Sequence, residues 1–340
     1  MSSAPTLKDL AGELGLSVSA VSQGLRNVGN ISESTCRQIQ EAAKRIGYRP
    51  NPIAAALSTG SRMKAPHFMP LAILCMRLNP GGEMMYPVPD FVTGITQRSV
   101  ELGYRPEVIP LGSPADLPRQ LKNLYNRGFQ GIFIAPCGKD IMSLGCDWSP
   151  FSVVACGRYN QISPFHTVRQ EIFESTRHLL NEVIHRGYRR ICLALVKHDP
   201  PIVDDFARAA ASHICRPPGG RKIQLFVDSP ANKPADFARW LKKEKADAVV
   251  GFSVGHYYDI TNARIKVPKD VGFAALHAEQ GQRLGEISGL TTPHLHLGVV
   301  AANRMDTMIR HHERGIPNIA EQIALRSGWQ EGSTLPFRKS

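Results

Sequence analysis

Two helix signatures in the first 26 residues are separated by so little chain that only a sharp turn can join them. Thr6-Leu-Lys-Asp9 is a capping box: the hydroxyl takes an orphan backbone N–H and the carboxylate reaches back, so a helix starts at Leu7. Leu7, Leu10, Ala11 and Leu14 recur at i, i+3, i+4 and i+7, and Gly15 supplies the left-handed residue that stops the helix after two turns. Ser17 caps a second helix that runs through Val21 and Leu25 to Arg26. A third follows from the cap Ser32 through Cys36, Ile39, Ala42, Ala43 and Ile46 to Gly47. Three helices this short have one economical solution, a single small core with helix-turn-helix geometry.

The next segment is also helical by signature. In Arg49-Pro-Asn-Pro-Ile-Ala-Ala-Ala-Leu57-Ser-Thr-Gly60, Asn51 is the N-cap, Pro52 the first helical residue and Gly60 the terminator. A helix of about two turns is marginal in water by itself, because isolated helices below about 12 residues rarely persist. Ala54, Ala55 and Ala56 allow close approach of a second copy. Leu57 is then placed as an apolar wedge between base steps of a minor groove.

These residues carry a resemblance. Thr6-Leu-Lys-Asp-Leu-Ala, Leu16-Ser-x-x-Ala-Val-Ser22, Ile31-Ser-Glu-Ser-Thr35, Gly47-Tyr-Arg-Pro-Asn-Pro and Ala54-Ala-Ala-Leu57 resemble the N-terminal domain and hinge of the LacI/GalR family of transcriptional regulators. The resemblance implies that Thr6, Ser17, Ser22, Asn27, Asn51 and Ala54 belong to the DNA-binding surface, several of them on phosphates. It further implies that Val18, Ser19 and Gln23 face base edges and that Leu57 intercalates at the operator centre. Many relatives carry arginine where this chain has Gln23. Glutamine suits adenine rather than guanine, so an altered half-site preference is expected.

Beyond Arg62-Met-Lys64 and Pro66 the pattern changes. Apolar runs at 71–76, 106–110, 131–135, 152–156, 190–195, 222–227, 247–252 and 271–276 alternate with helical patterns, which predicts parallel sheets built of βαβ units. One helix is read from Ile172, Thr176, Leu179, Leu180, Val183 and Ile184, another from Leu117, Leu121, Leu124 and Tyr125. Gly103-Tyr, Gly128-Phe and Gly187-Tyr read as helix terminators. The expected fold is a small all-α helix-turn-helix domain followed by an α/β core, periplasmic-binding-protein-like by the resemblance, of two parallel-sheet lobes. The expected divisions are 4–49 for the helix-turn-helix domain, 50–66 for the hinge and linker, and 67–340 for the effector-binding and dimerisation core. Within the core, lobe 1 takes about 67–167 and 293–326 and lobe 2 about 168–292 and 327–340, with crossings near 288–298 and 326–329. Val267-Pro-Lys-Asp-Val-Gly272 and the tail from Leu325 to Leu335 add to the resemblance.

Open α/β lobes bind ligands at the carboxyl ends of their strands, so the inter-lobe cleft is the expected small-molecule site. Where sugar-binding relatives supply acidic, arginine, asparagine and acidic groups, this chain has Cys156, Phe206, Ser253 and His277. A single gap would exchange Phe206 for the neighbouring Asp204 or Asp205. The effector is therefore a sugar held by other groups (Arg158, Tyr159, Asp228, His256), a less polar metabolite, or absent.

Composition fits this reading. The chain has 340 residues, 42% hydrophobic and 21% charged, ordinary for a soluble protein of more than one core. Its net charge is +12, and residues 1–64 carry eight basic groups against four acidic, about twice the excess per residue found in the remainder. No apolar run approaches the 18 or so residues of a membrane span, and Met1-Ser-Ser-Ala-Pro has no signal-peptide character, so a cytoplasmic protein without membrane association is expected. Cys36, Cys75, Cys137, Cys146, Cys156, Cys192 and Cys215 form no C-x-x-C pair and read as reduced core residues. Gly251-Phe-Ser253-Val-Gly255 is a G-x-S-x-G pattern with Asp259 or Asp270 and then His277 or His294 after it, the order of a hydrolase triad. In a chain with 29 glycines it reads more simply as a strand-end turn. His294, His296, His311 and His312 lack partners at metal-site spacing, and no P-loop or strand-linked G-x-G-x-x-G is present, so no metal, cofactor or catalytic residue is expected. The expected partners are a double-stranded near-palindromic operator, a second copy of the chain, and a small-molecule effector.

Overall fold

The computed structural model describes residues 7–25, 31–46, 68–76, 83–84, 88–136, 145–157, 163–196, 202–214, 223–228, 234–278 and 286–338. Thr6, Asn27, Arg158, Tyr159 and the hinge helix with Asn51, Ala54 and Leu57 lie outside them. The chain divides into two compact units, Met1–His67 and Phe68–Ser340.

In the first unit, α1 (Leu7–Leu14), α2 (Val18–Leu25) and α3 (Glu33–Ile46) enclose Leu10, Ala11, Val21, Ile39, Ala42 and Ala43. Gly15 adopts φ +62 between α1 and α2, a conformation that glycine takes without steric cost. Ser32 Oγ accepts from Thr35 N at 3.2 Å, capping α3. Arg45 on α3 reaches Glu13 on α1 at 2.6 Å.

The second unit holds two six-stranded sheets. The first contains β1 (Met69–Cys75), β2 (Tyr104–Pro110), β3 (Gly131–Ile134), β4 (Ser152–Cys156), β5 (His166–Gln170) and β11 (Gln322–Leu325), in the order β11-β5-β4-β3-β1-β2. The second contains β6 (Arg190–Ala194), β7 (Gln224–Asp228), β8 (Ala248–Gly251), β9 (Gly272–Ala275), β10 (Gly289–Thr291) and β12 (Gly328–Gln330), in the order β12-β10-β9-β8-β6-β7. Every pairing is parallel except β10 with β12. All eight apolar runs form strands, and β3, β4, β8 and β9 are buried along their whole length, as sheets covered on both faces require.

In the first lobe, α4 (Val88–Glu101) and α10 (His294–Arg310) cover one face, placing Phe91, Ile95, Leu297, Ala301 and Met305 over Leu71, Ile73, Phe133, Val154 and Val168. The two helices touch backbone to backbone. A Cβ on Gly94 would fall 1.9 Å from Leu295 O, and one on Gly298 would fall 2.4 Å from Phe91 O. The other face packs against α5 (Leu117–Asn126), with Trp148, Phe151 and Phe165. In the second lobe, α6 (Phe173–His185) and α7 (Ile202–Ile214) cover one face, while α8 (Pro234–Glu244) and α9 (Gly255–Asn262) cover the other. Gly103, Gly128 and Gly187 have φ +85, +77 and +97 at the ends of α4, α5 and α6.

Three segments join the lobes: between β5 and α6, between β10 and α10, and between β11 and β12. The first sheet keeps its strand to Gln170, a few residues past the division read from the sequence near 167. His294 and His296, which would share a face on an extended segment, instead begin α10. His294 is buried and His296 exposed.

Candidate DNA-reading helix and inter-lobe cleft

α2 is presented to solvent by its own cap and by the core beneath it. Ser17 Oγ accepts from Ala20 N at 3.1 Å, and Ser17 O accepts from Val21 N at 3.0 Å, so the hydroxyl proton stays available for an external acceptor. Val21 is fully buried under the helix, and Gly24 faces Ile39 of α3, where a Cβ would lie 2.4 Å from Ile39 Cδ1. These two contacts fix which side of α2 turns outward. Val18 is 41% exposed, Ser19 is exposed, and Gln23 is half-buried one turn further on. Ser22 also lies in α2. The N-terminal half of this helix thus offers an apolar group and a hydroxyl, with an amide beside them. Its uncapped N–H groups add the positive end of a helix dipole.

The cleft residues read from the sequence are dispersed. Cys156, at the end of β4, is fully buried in the layer under α4 and α10, where burial pushes its thiol up to about 12. Phe206, on α7, packs against the second lobe's core and lies with its ring centroid 5.8 Å from the Arg169 guanidinium of β5. Ser253 follows β8, and its Oγ accepts from Gly255 N at 3.3 Å, closing the turn into α9. His256, the second residue of that helix, is buried, which holds its imidazole below the ordinary 6.5. Asp228 is exposed at the end of β7. Ser253 is absent from the left-handed non-glycine residues, Lys245, Arg264 and His312, so the described backbone lacks the strained elbow of a nucleophilic serine.

His277 is fully buried just after β9 and meets residues that sequence reasoning missed. Its Nδ1 lies 3.1 Å from Thr292 Oγ1, and that hydroxyl lies 3.5 Å from Ser327 Oγ, which accepts from Gln170 Nε2 at 2.9 Å. Gln170 ends β5 where the first crossing begins, and Thr292 and Ser327 lie in the other two, so one hydrogen-bonded chain ties all three crossings together. A chain of rings runs beside it. Phe252 and His277 are 5.0 Å apart, His277 and His294 stack at 6.4 Å, and His294 meets Phe91 of α4 at 5.5 Å. No local pattern could have found these residues, because each comes from a different element. Among the described residues no three metal-ligating side chains cluster, and no helix is long and apolar enough to cross a membrane.

Residues 6–51 match the family model described as bacterial regulatory proteins, lacI family. The HTH-type transcriptional regulator RegA of Clostridium saccharobutylicum is 39% identical over 56 residues, 16% of this chain and 17% of that protein. The maltose regulon regulatory protein MalI of Escherichia coli is 22% identical across 92% of this chain and 95% of its own. The chain thus aligns with about a sixth of the first relative and nearly all of the second. Among solved structures, the complex of the transcriptional regulator CelR with cellobiose superposes with a TM-score of 0.58 at 16% identity, covering 97% of this chain and 99% of that one. The lac repressor dimer bound to operator and the anti-inducer ONPF superposes with a TM-score of 0.57 at 15% identity, covering 98% and 100%. Likeness at that identity establishes the fold.

Proposed function

We propose that this chain, a member of the LacI family of bacterial regulators through its residues 6–51, is a cytoplasmic, homodimeric, sequence-specific transcriptional regulator. A repressor is the simplest form of it. One recognition helix reads half a site, so this reading calls for a two-fold dimer on a near-palindromic operator. The observation that carries the reading is the outward face of α2, with Val18 and Ser19 exposed above a buried Val21 and a capped start at Ser17. Ser17, Ser22, Asn27 and Asn51 position the domain on phosphates in this reading, with Thr6 also on the DNA-binding surface. Val18, Ser19 and Gln23 meet bases, and Ala54 and Leu57 act at the operator centre.

An effector in the cleft would change the lobe angle and thereby the spacing of the two hinge segments. A hundredfold change in operator affinity needs about 2.7 kcal/mol of differential binding. In this reading the chain works as a binding protein, supported by Ser253 serving a turn and His277 meeting Thr292.

The test is a gel shift of genomic fragments against excess nonspecific DNA. Retention of particular fragments is expected, and retention of none would reject specific regulation in favour of a ligand sensor without operator recognition. On the selected fragment, Gln23→Arg should move preference from adenine toward guanine at one symmetric position, a change of about 1–3 kcal/mol in discrimination.

A further inference from the structure

We propose that the cleft takes a small organic oxyanion, its carboxylate or phosphate bound by Arg169 and its apolar body lying beside Phe206. The inference rests on the cleft being an effector site and names the chemistry of its ligand. Arg169 stands one residue before the end of β5, on the first lobe, and Phe206 stands in the second turn of α7, on the second. α7 follows the carboxyl end of β6, so its first turns lie at the sheet edge where such folds bind ligands. The guanidinium carbon sits 5.8 Å from the Phe206 ring centroid, so the pair spans the lobes.

Arg169 is oriented by uncharged acceptors, and Glu171 is the one carboxylate among the described residues that acts on its charge, opposing the effect of burial. Nε donates to Gln322 Oε1 at 3.2 Å and Nη1 to Gln170 O at 3.1 Å, both uncharged acceptors, and among the described residues Nη2 has no acceptor. Among the described residues no carboxylate forms an ion pair with it. Glu171, next but one in the chain, turns Oε2 to the N–H groups of Glu174 and Ser175 at the start of α6, so it acts on Arg169 through the field and not through an ion pair. The guanidinium is half-buried, and desolvation lowers its affinity for its proton. A partly dehydrated, planar cation pinned over a ring, with donors to spare, is the arrangement that favours an oxyanion with a flat or apolar body. Two of the positions where sugar-binding relatives carry acidic groups do not serve here: Cys156 is in the core and His277 is held by Thr292.

The experiment uses matched probes that differ in charge, D-glucose 6-phosphate against D-glucose and benzoate against benzyl alcohol. They are titrated into the full chain by calorimetry, with thermal melting and the gel shift on the same samples. The anionic member of at least one pair should bind at least tenfold tighter than its neutral partner and weaken as NaCl is raised, the pair identifying phosphate or carboxylate. Arg169→Met should abolish that preference, and Arg169→Lys should keep part of it. Equal binding of charged and neutral members, no binding by any probe, or a preference that survives Arg169→Met would each overturn the assignment. If Arg169→Met fails to fold, the wild-type pair comparison and its salt dependence still decide. Failure here with operator retention intact rejects the oxyanion alone, whereas loss of operator retention rejects the regulator.

Discussion

Arg186 shows how a single side chain can hold a terminus in place. It is 5% exposed just after α6 and donates both terminal nitrogens to Glu331 at 2.8 Å and one of them to Leu335 O at 2.9 Å. Its guanidinium also lies 4.8 and 4.7 Å from the rings of Trp329 and Phe337. Glu331 is exposed, so the ion pair itself is worth little, whereas Leu335 O is a buried acceptor that would lose its donor. Arg186→Met should cost about 2 kcal/mol and Glu331→Gln less than about 1, read from urea midpoints. Two histidines give stability a pH dependence. His166 is held below 6.5 by burial and then by Arg304, which approaches Nε2 at 3.2 Å while Glu321 N donates to Nδ1 at 3.1 Å; the carboxylates of Glu313 and Glu321 act the other way. His256 is lowered by burial, against Asp259. The unfolded chain therefore binds protons on both before the folded chain does. Their contribution is complete above about 6.5 and drains away as pH falls through that value toward the folded pKa values. The urea midpoint should drop between pH 7.5 and 5.5, and the double variant His166→Asn/His256→Asn should show a flatter profile. An unchanged slope in that variant would refute the assignment.

At the scale of elements, what could be read in advance depended on where the stabilising partners come from. β1, β3, β4, β8 and β9 declare themselves because burial on both faces demands continuous apolar sequence. β5, His-Thr-Val-Arg-Gln, is equally buried at four of its five positions yet reads as polar. His166 and Gln170 are satisfied by Glu321 N and Ser327 Oγ, groups some 150 residues away that no local window contains. β11 and β12 are short and partly exposed, and were traceable only through resemblance. Capping signals worked because they are local: Thr6-Leu-Lys-Asp, Ser17 and Ser32 marked the starts of helices that begin at Leu7, Val18 and Glu33. The helix contact at Gly94 and Gly298 was invisible, since the two glycines acquire meaning only when α4 meets α10. Gly94→Ala should destabilise the protein by about 3 kcal/mol, because backbone must move to admit the methyl. Gly24→Ala, whose methyl meets only the flexible end of Ile39, should cost less than about 1 kcal/mol. Equal thermal shifts for the two would contradict this account.

For the whole molecule, the candidate site was legible by kind and not by residue. The outward face of α2 follows from its caps and core, whereas the cleft position expected at Cys156 lies in the core. The contacts that matter join segments distant in the chain, as at Gln170, Thr292 and Ser327. If lobe angle carries the signal, loosening that hydrogen-bonded chain should alter communication more than folding. Ser327→Ala should change stability by less than about 1 kcal/mol, while changing the ratio of operator affinities with and without a bound effector by about 0.5–2 kcal/mol. The same ratio must appear when effector affinity is measured with and without operator, because the two couplings are thermodynamically equal.

The triple crossing also governs how the protein comes off the ribosome. The first lobe needs α10 to cover its core and β11 to close the open edge of β5, and both lie beyond every strand from β6 to β10 in synthesis order. Until residues 294–325 have emerged, a nearly complete sheet waits with an apolar face bare and a strand unpaired, a vulnerable nascent intermediate during which chaperone capture competes with self-association.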